Sequence, residues 1–262
     1  MIRTRSIDNY LILSAFSADF IAGFFQNSAA HAYMINSANR MPSKIRFRNR
    51  ATFHDMENRL IAVRLSAQQL SDPRFDDPRA LVRWMGAVQA QDYKAVRWAV
   101  GIRLRTASLR AVNRALERGE ILRTHVMRPT WHLVAAEDIR WMLRLSARRI
   151  RSANSSLARS RGLGIDDGMY SRSNRLIEKM LRGNLCLTKR QIADRFQAAG
   201  IAADTHFMTR YLMRAEADGI VCSGPDRAGQ FTYALLEERV APVPELTRDE
   251  SLGRLARAYF RS

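Results

Sequence analysis

The sequence predicts a mainly α-helical fold with small β-hairpin wings, laid out as tandem winged helix-turn-helix units. Three observations lead there. Helical periodicities are followed by a short strand–turn–strand pattern, that layout occurs twice, and its helices carry arginines opposite their apolar residues.

In the first unit Asp76 and Asp77 precede Pro78, a capping acid with proline in the first helical turn. Leu81, Val82, Met85 and Val88 then recur at helical spacing, so this helix is expected to end around Val88. A second helix is expected over 94–103, and a third over 109–117 with Gly119 as its stop. Residues 121–126, the turn Met127-Arg128-Pro129-Thr130 and residues 131–134 read as a hairpin. A connecting helix is expected over 137–151.

The second unit repeats the order. A helix is expected over 173–181, and Thr188-Lys189-Arg190-Gln191 is a capping box opening the next one, with Ile192, Ala193 and Phe196 inside and Gly200 at its end. Phe207, Tyr211, Leu212 and Ala215 mark a third helix that stops at Gly219. Residues 220–223, a Gly/Pro-rich turn over 224–229 and residues 230–236 form a second wing. Pro242 and Pro244 then mark a linker, and an amphipathic helix begins at Ser251 with Leu252, Leu255, Tyr259 and Phe260 on one side. It is expected to dock back on the second unit or to begin a longer architecture. The divisions that follow are a poorly ordered leader (1–55), a first unit with its connecting helix (56–152), a second unit (153–240), and a linker with the start of a truncated third unit (241–262).

The leader stands apart. Its apolar stretch over 10–25 faintly imitates a signal peptide but contains Asp19, whereas Met56 opens a pattern of Leu60, Ile61, Val63, Leu65 and Leu70 that reads as amphipathic. Met56 is therefore the expected natural start.

Charge narrows the partner. The 262 residues carry 43 Lys and Arg against 25 Asp and Glu, a formal net charge of +18, and Lys44, Lys94, Lys179 and Lys189 are the only lysines. Such an excess suits a polyanion, because clustered cations displace counterions from a phosphate backbone; an arginine-rich surface that is merely solvated is the alternative, and arginine placement decides between them. Arg110 and Arg114 lie one turn apart opposite Leu109, Val112 and Leu116, and Arg210 and Arg214 repeat that relation opposite Phe207 and Tyr211. Arg140, Arg144, Arg148 and Arg151 form a third stripe opposite Ile139, Met142, Leu143 and Ile150. Double-stranded DNA is the expected partner, with Arg128, Thr130 and His132 at the first wing added to the contacts. His125 and His132 flank that turn and read as packing or phosphate-contacting residues rather than acid–base catalysts.

Cys186 and Cys222 lie among apolar neighbours and read as small buried hydrophobes, and the five histidines have no metal-ligand spacing. No apolar run reaches the roughly 18 residues of a membrane span. A cytoplasmic, nucleoid-associated monomer without metal or cofactor is expected.

Two long blocks resemble the AlkZ-like family. They are Gly86-Ala87-Val88-Gln89-Ala90-Gln91-Asp92 and Arg123-Thr124-His125-Val126-Met127-Arg128-Pro129-Thr130-Trp131-His132-Leu133-Val134; the segment from Ala136 to Trp141 continues the match, and Arg257-Ala258-Tyr259-Phe260 is similar to the start of the family's third winged helix. The resemblance implies tandem winged helices and a monofunctional DNA glycosylase that excises alkylated bases, N7-alkylpurines and crosslinked bases included. It also implies a catalytic Gln-aliphatic-Gln motif at Gln89 and Gln91, and a third winged helix and β-rich domain beyond the point where this chain stops. A non-catalytic winged-helix regulator is the alternative, although no separate dimerisation helix or effector domain is visible.

The residues add a geometric condition. Side chains two apart share one side of an extended backbone but lie about 200° apart on a helix. Gln89 and Gln91 therefore converge only if the helix from Pro78 stops short of them, and Asp92 as the cap of the next helix is consistent with that stop. An N7-alkylated purine is a cationic leaving group that needs no general acid, so amide carbonyls that place a water and face the developing charge on the sugar suffice. Without the resemblance, the two glutamines read as loop residues satisfying backbone groups. Asp92 is a second candidate for activating water, and Trp131 and Trp141 read as core.

Overall fold

The computed structural model describes residues 50–227 and 229–262, with side chains from residue 58 onward. The expectations placed on residues 1–49 lie outside the described residues. Helix α1 (Arg50–Ala67) runs across Met56, and its apolar residues do not form a stripe. At about 100° per residue, positions 60, 61, 63 and 65 are spread round the axis, and Ile61 and Val63 stand 53% and 65% exposed. The amphipathic reading of this segment is corrected accordingly.

Helix α2 (Pro78–Met85) starts where Asp77 accepts the Arg79 and Ala80 N–H groups, and buries Leu81, Val82 and Met85. It stops earlier than expected. Gly86 takes φ 76° and ψ −69°, a turn that side-chain-bearing residues avoid, and the chain leaves it as strand β1 (Ala87–Gln89). Asp92 then caps α3 (Tyr93–Gly101) and Ser108 caps α4 (Leu109–Arg118), which ends on left-handed Gly119. Strands β2 (Ile121–His125) and β3 (Trp131–Ala135) follow. The three strands form one antiparallel sheet in the order β1-β3-β2.

A 3₁₀ turn, Ala136–Asp138, leads into α5 (Ile139–Ser160), which continues well past residue 151 and across the expected division at 152/153. The polar stretch after Ile150 has no apolar stripe to announce a helix; it is held by tertiary contact, with buried Asn154 donating to the Arg210 carbonyl at 2.9 Å. The second unit comprises α6 (Asp167–Leu181), β4 (Leu187–Thr188), α7 (Lys189–Ala198), α8 (Thr205–Ala217), β5 (Val221–Ser223), β6 (Thr232–Leu235) and the short α9 (Leu236–Arg239). Its sheet has the order β4-β6-β5, the same plan as the first. The capping box at Thr188 and Gln191 forms as expected.

Each unit has its own core, and a third cluster belongs to both. Leu122, Val134, Met142, Cys222, Leu236 and Leu255 pack together there. The edges β2 and β5 meet, and the Arg123 N–H donates to Ser223 Oγ at 2.8 Å. Helix α10 (Arg248–Arg261) docks chiefly on α2 and α5, and its Leu255 joins the shared cluster that includes Cys222 and Leu236. Leu255 is buried and the Arg261 guanidinium donates to the Trp84 carbonyl at 2.9 Å, while Phe260 is 72% exposed rather than part of the docked face. Both cysteines are free and buried, and burial pushes the Cys222 thiol up to about 12.

Gly86→Ala forces a side chain into this turn at a cost of about 1–2 kcal/mol. The melting temperature is expected to fall by roughly 3–6 °C in a scanning calorimetry comparison with the wild type; an unchanged value contradicts the role given to Gly86.

Candidate active site

The break at Gly86 sets the geometry of Gln89 and Gln91. Strand β1 pairs with β3 in the register Val88 to Leu133 and Gln89 to His132, and the Ala90 N–H extends the ladder by donating to the Trp131 carbonyl at 2.7 Å. Val88 and Ala90 point into the first unit's core, whereas Gln89 is half-buried and Gln91 exposed. The alternation of burial turns Gln89 away from that core, and Gln91 follows just beyond the strand's end, where the chain bends. Gln91 Oε1 accepts the Trp131 N–H at 3.3 Å and keeps a second lone pair. Asp92 is occupied as a cap, accepting from Lys94 and Ala95, and the Ala95 N–H in particular lowers its pKa.

Arg123, which the sequence reading did not single out, holds this segment. Its Nε and Nη2 donate to the Ala90 carbonyl at 3.0 and 2.8 Å, and Nη2 also reaches the Gln91 carbonyl at 3.3 Å. The guanidinium lies 4.3 Å from the Trp131 ring centre, 5.1 Å from Tyr93 and 5.3 Å from Phe231. Burial lowers its pKa, and the negative groups nearby, Glu216 and Asp226 among them, oppose that. The sequence signal was an arginine within a strand that begins Ile121-Leu122. Its partners, at positions 90, 91 and 231, are too remote in sequence to read.

The second unit closes over the same place. Tyr93 Oη lies 3.2 Å from both Asp226 carboxylate oxygens, and Trp131 meets Phe231 edge to face. His125 Nδ1 pairs with Glu216 Oε2 between the units, and both residues are buried. A cavity of about 350 Å³, bounded by Arg123, His125, Trp131, Glu216 and Phe231 among others, lies here on the sheet face turned away from Gln89.

The expected DNA contacts fare unequally. Arg110 and Arg114 are exposed on α4, and Arg144 is exposed on α5, where it pairs with Glu245. Arg140 donates to the Val240 carbonyl, and Arg214 pairs with Asp218 and Asp167 over the Tyr170 ring, so both are engaged within the fold. Arg210 is half-buried. The first hairpin's turn does not project: Met127 is buried at φ 63°, its N–H donates to Ser146 Oγ, and Arg128 and Thr130 are half-buried beside it. His132 is fully buried and has no surface to offer a phosphate, which corrects its expected role. Trp141 is core, its indole N–H donating to Asp138 at 2.8 Å. Among the described residues no helix is long and apolar enough to cross a membrane.

A mostly helical scaffold with two small antiparallel sheets among the described residues is the class that this architecture defines. The AlkZ-like DNA glycosylase family model matches residues 82–262, and the chain belongs to that family. Its fold is similar to that of the solved Streptomyces sahachiroi DNA glycosylase AlkZ, with a TM-score of 0.59 and 22% identity over 75% of this chain. The match spans 55% of that chain, so the present sequence corresponds to about half its length. No curated protein matches the chain.

Burial lowers the His132 pKa to about 4. Its folded value lies below its unfolded value near 6.5, so stability is full above about pH 6.5 and declines as pH falls toward about 4, by about 3 kcal/mol for this group. His132→Gln is expected to lack that component in urea unfolding series at pH 7 and 4.5; identical slopes for variant and wild type contradict it.

Proposed function

We propose that the chain binds double-stranded DNA through its two repeated units, acting as winged helices, and hydrolyses the N-glycosidic bond of an alkylated base. One observation carries the reading: the helix ends at Gly86 and not at Val88, so that Gln89 lies on a strand with Gln91 two residues beyond it, neither of them in the core that takes Val88 and Ala90. Two amide oxygens so placed can hold a water below the sugar and face the positive charge that develops on it. They supply no strong base. That restricts turnover to nucleotides whose base already leaves as a cation-derived neutral, such as N7-alkylpurines, and spares ordinary ones. The exposed Arg110 and Arg114 on α4, with Arg144 on α5, supply phosphate contacts that grip DNA without reading its sequence. The target nucleotide must leave the stack to bring its sugar to the strand.

Release of N7-methylguanine from methylated duplex DNA tests this. Wild-type protein is expected to release the base, and Gln89→Ala or Gln91→Ala to slow release on the order of 10²-fold with little change in DNA affinity. Tight binding without any release by the wild type overturns the enzymatic reading and leaves a non-catalytic DNA-binding protein.

A further inference from the structure

On the Gln89 side of the first sheet, the register builds a row of three polar residues. Gln89 on β1 lies opposite His132 on β3, and His132 lies opposite Thr124 on β2. Apolar positions flank the row, with Ala87, Val134 and Leu122 in the next rank on the same face. His132 and Thr124 are each 0% exposed. Neither His132 Nε2 nor Thr124 Oγ1 has a protein partner among the described residues, although they are cross-strand neighbours. Each such buried orphan costs about 1–3 kcal/mol, and two together beside a proposed catalytic side chain call for a reason.

The tautomer of His132 follows from its other nitrogen. Nδ1 lies 2.9 Å from the Thr130 carbonyl oxygen, which only accepts, so Nδ1 carries the proton. Nε2 therefore presents a lone pair. Directly opposite residues in an antiparallel pair have Cβ atoms about 4.5–5.5 Å apart, within reach of a glutamine amide. Gln89 makes no protein hydrogen bond through its side chain among the described residues and keeps two N–H donors free.

We propose that His132 is a positioning residue for Gln89: when the site is loaded, the Gln89 amide donates an N–H to His132 Nε2 and thereby turns its Oε1 toward the sugar. A glutamine amide can be turned two ways with its oxygen and nitrogen exchanged. A neutral imidazole acceptor beneath it selects one of them, and the carbonyl of the amide is left as the group that faces the water. Burial keeps the ring neutral, with its pKa near 4, so the acceptor is present throughout the neutral range. This inference rests on the glycosylase reading for its kinetic consequence and on the sheet register alone for its geometry.

The test combines kinetics with a spectroscopic readout. In single-turnover release of N7-methylguanine, His132→Phe is expected to lower the rate about fivefold to tenfold, one neutral hydrogen bond, with little change in the DNA concentration for half-saturation. His132→Gln, which keeps an acceptor, is expected to recover most of the rate. In a Gln89→Ala background, His132→Phe is expected to have no further effect; equal loss in both backgrounds means a structural role only and overturns the proposal. The wild-type protein gives a variant-free arm. With ¹⁵N-labelled histidine and a duplex carrying a tetrahydrofuran abasic-site analogue, the His132 Nε2 resonance is expected to move toward that of a hydrogen-bonded acceptor. An unmoved resonance overturns the proposal even if base release is intact. A moved resonance in a protein that releases no base supports the contact and overturns the glycosylase reading instead.

Discussion

A buried arginine holds the site together. Arg123 places one guanidinium on the carbonyls of Ala90 and Gln91 and against the rings of Trp131, Tyr93 and Phe231. Removing a cation from water costs several kcal/mol, and the offsets are of the same size: charge-assisted hydrogen bonds at about 1.5–3 kcal/mol each, and stacking at up to about 2 kcal/mol where the ring pair is desolvated. The balance holds only with every partner in place. Two partners belong to the glutamine segment and one to the second unit, so the arginine ties the shape of the strand to the docking of the units.

That coupling recurs in the core. Cys222 and Leu236 from one unit and Leu122 and Val134 from the other are buried in a common cluster, with Leu255 of the last helix beside them. The hairpins, which the sequence pattern suggested as projecting wings, turn inward for the same reason: the first ends on buried Met127, and the second lays Asp226 and Phe231 against Tyr93 and Trp131. Exposed cations lie on helix faces, Arg110, Arg114 and Arg148 among them.

Local signals were legible, and remote ones were not. Asp77, Asp92 and Thr188 cap the helices they were expected to start, and Gly119 closes α4, because caps and stops depend on neighbours within a few residues. Strand β1 is three residues long, too short for alternation to show, and Val88 fell in phase with the preceding helix by accident. The tail of α5 is helical through contacts such as Asn154 with Arg210, which no spacing within it encodes. At the site, the glutamine pair was visible through family resemblance and the extended-backbone condition. Arg123, the burial of His132 and the pair formed by His125 and Glu216 depend on partners brought from elsewhere in the chain, and so could be read only from the fold.

The most direct measurement is the crystal structure of the full chain bound to a duplex that carries a cationic azasugar in place of the damaged nucleotide. The account predicts the azasugar beside β1, with a water held by the Oε1 atoms of both Gln89 and Gln91 at roughly 2.6–3.2 Å. An azasugar seated elsewhere, or the two amides turned to opposite sides of the strand, contradicts it.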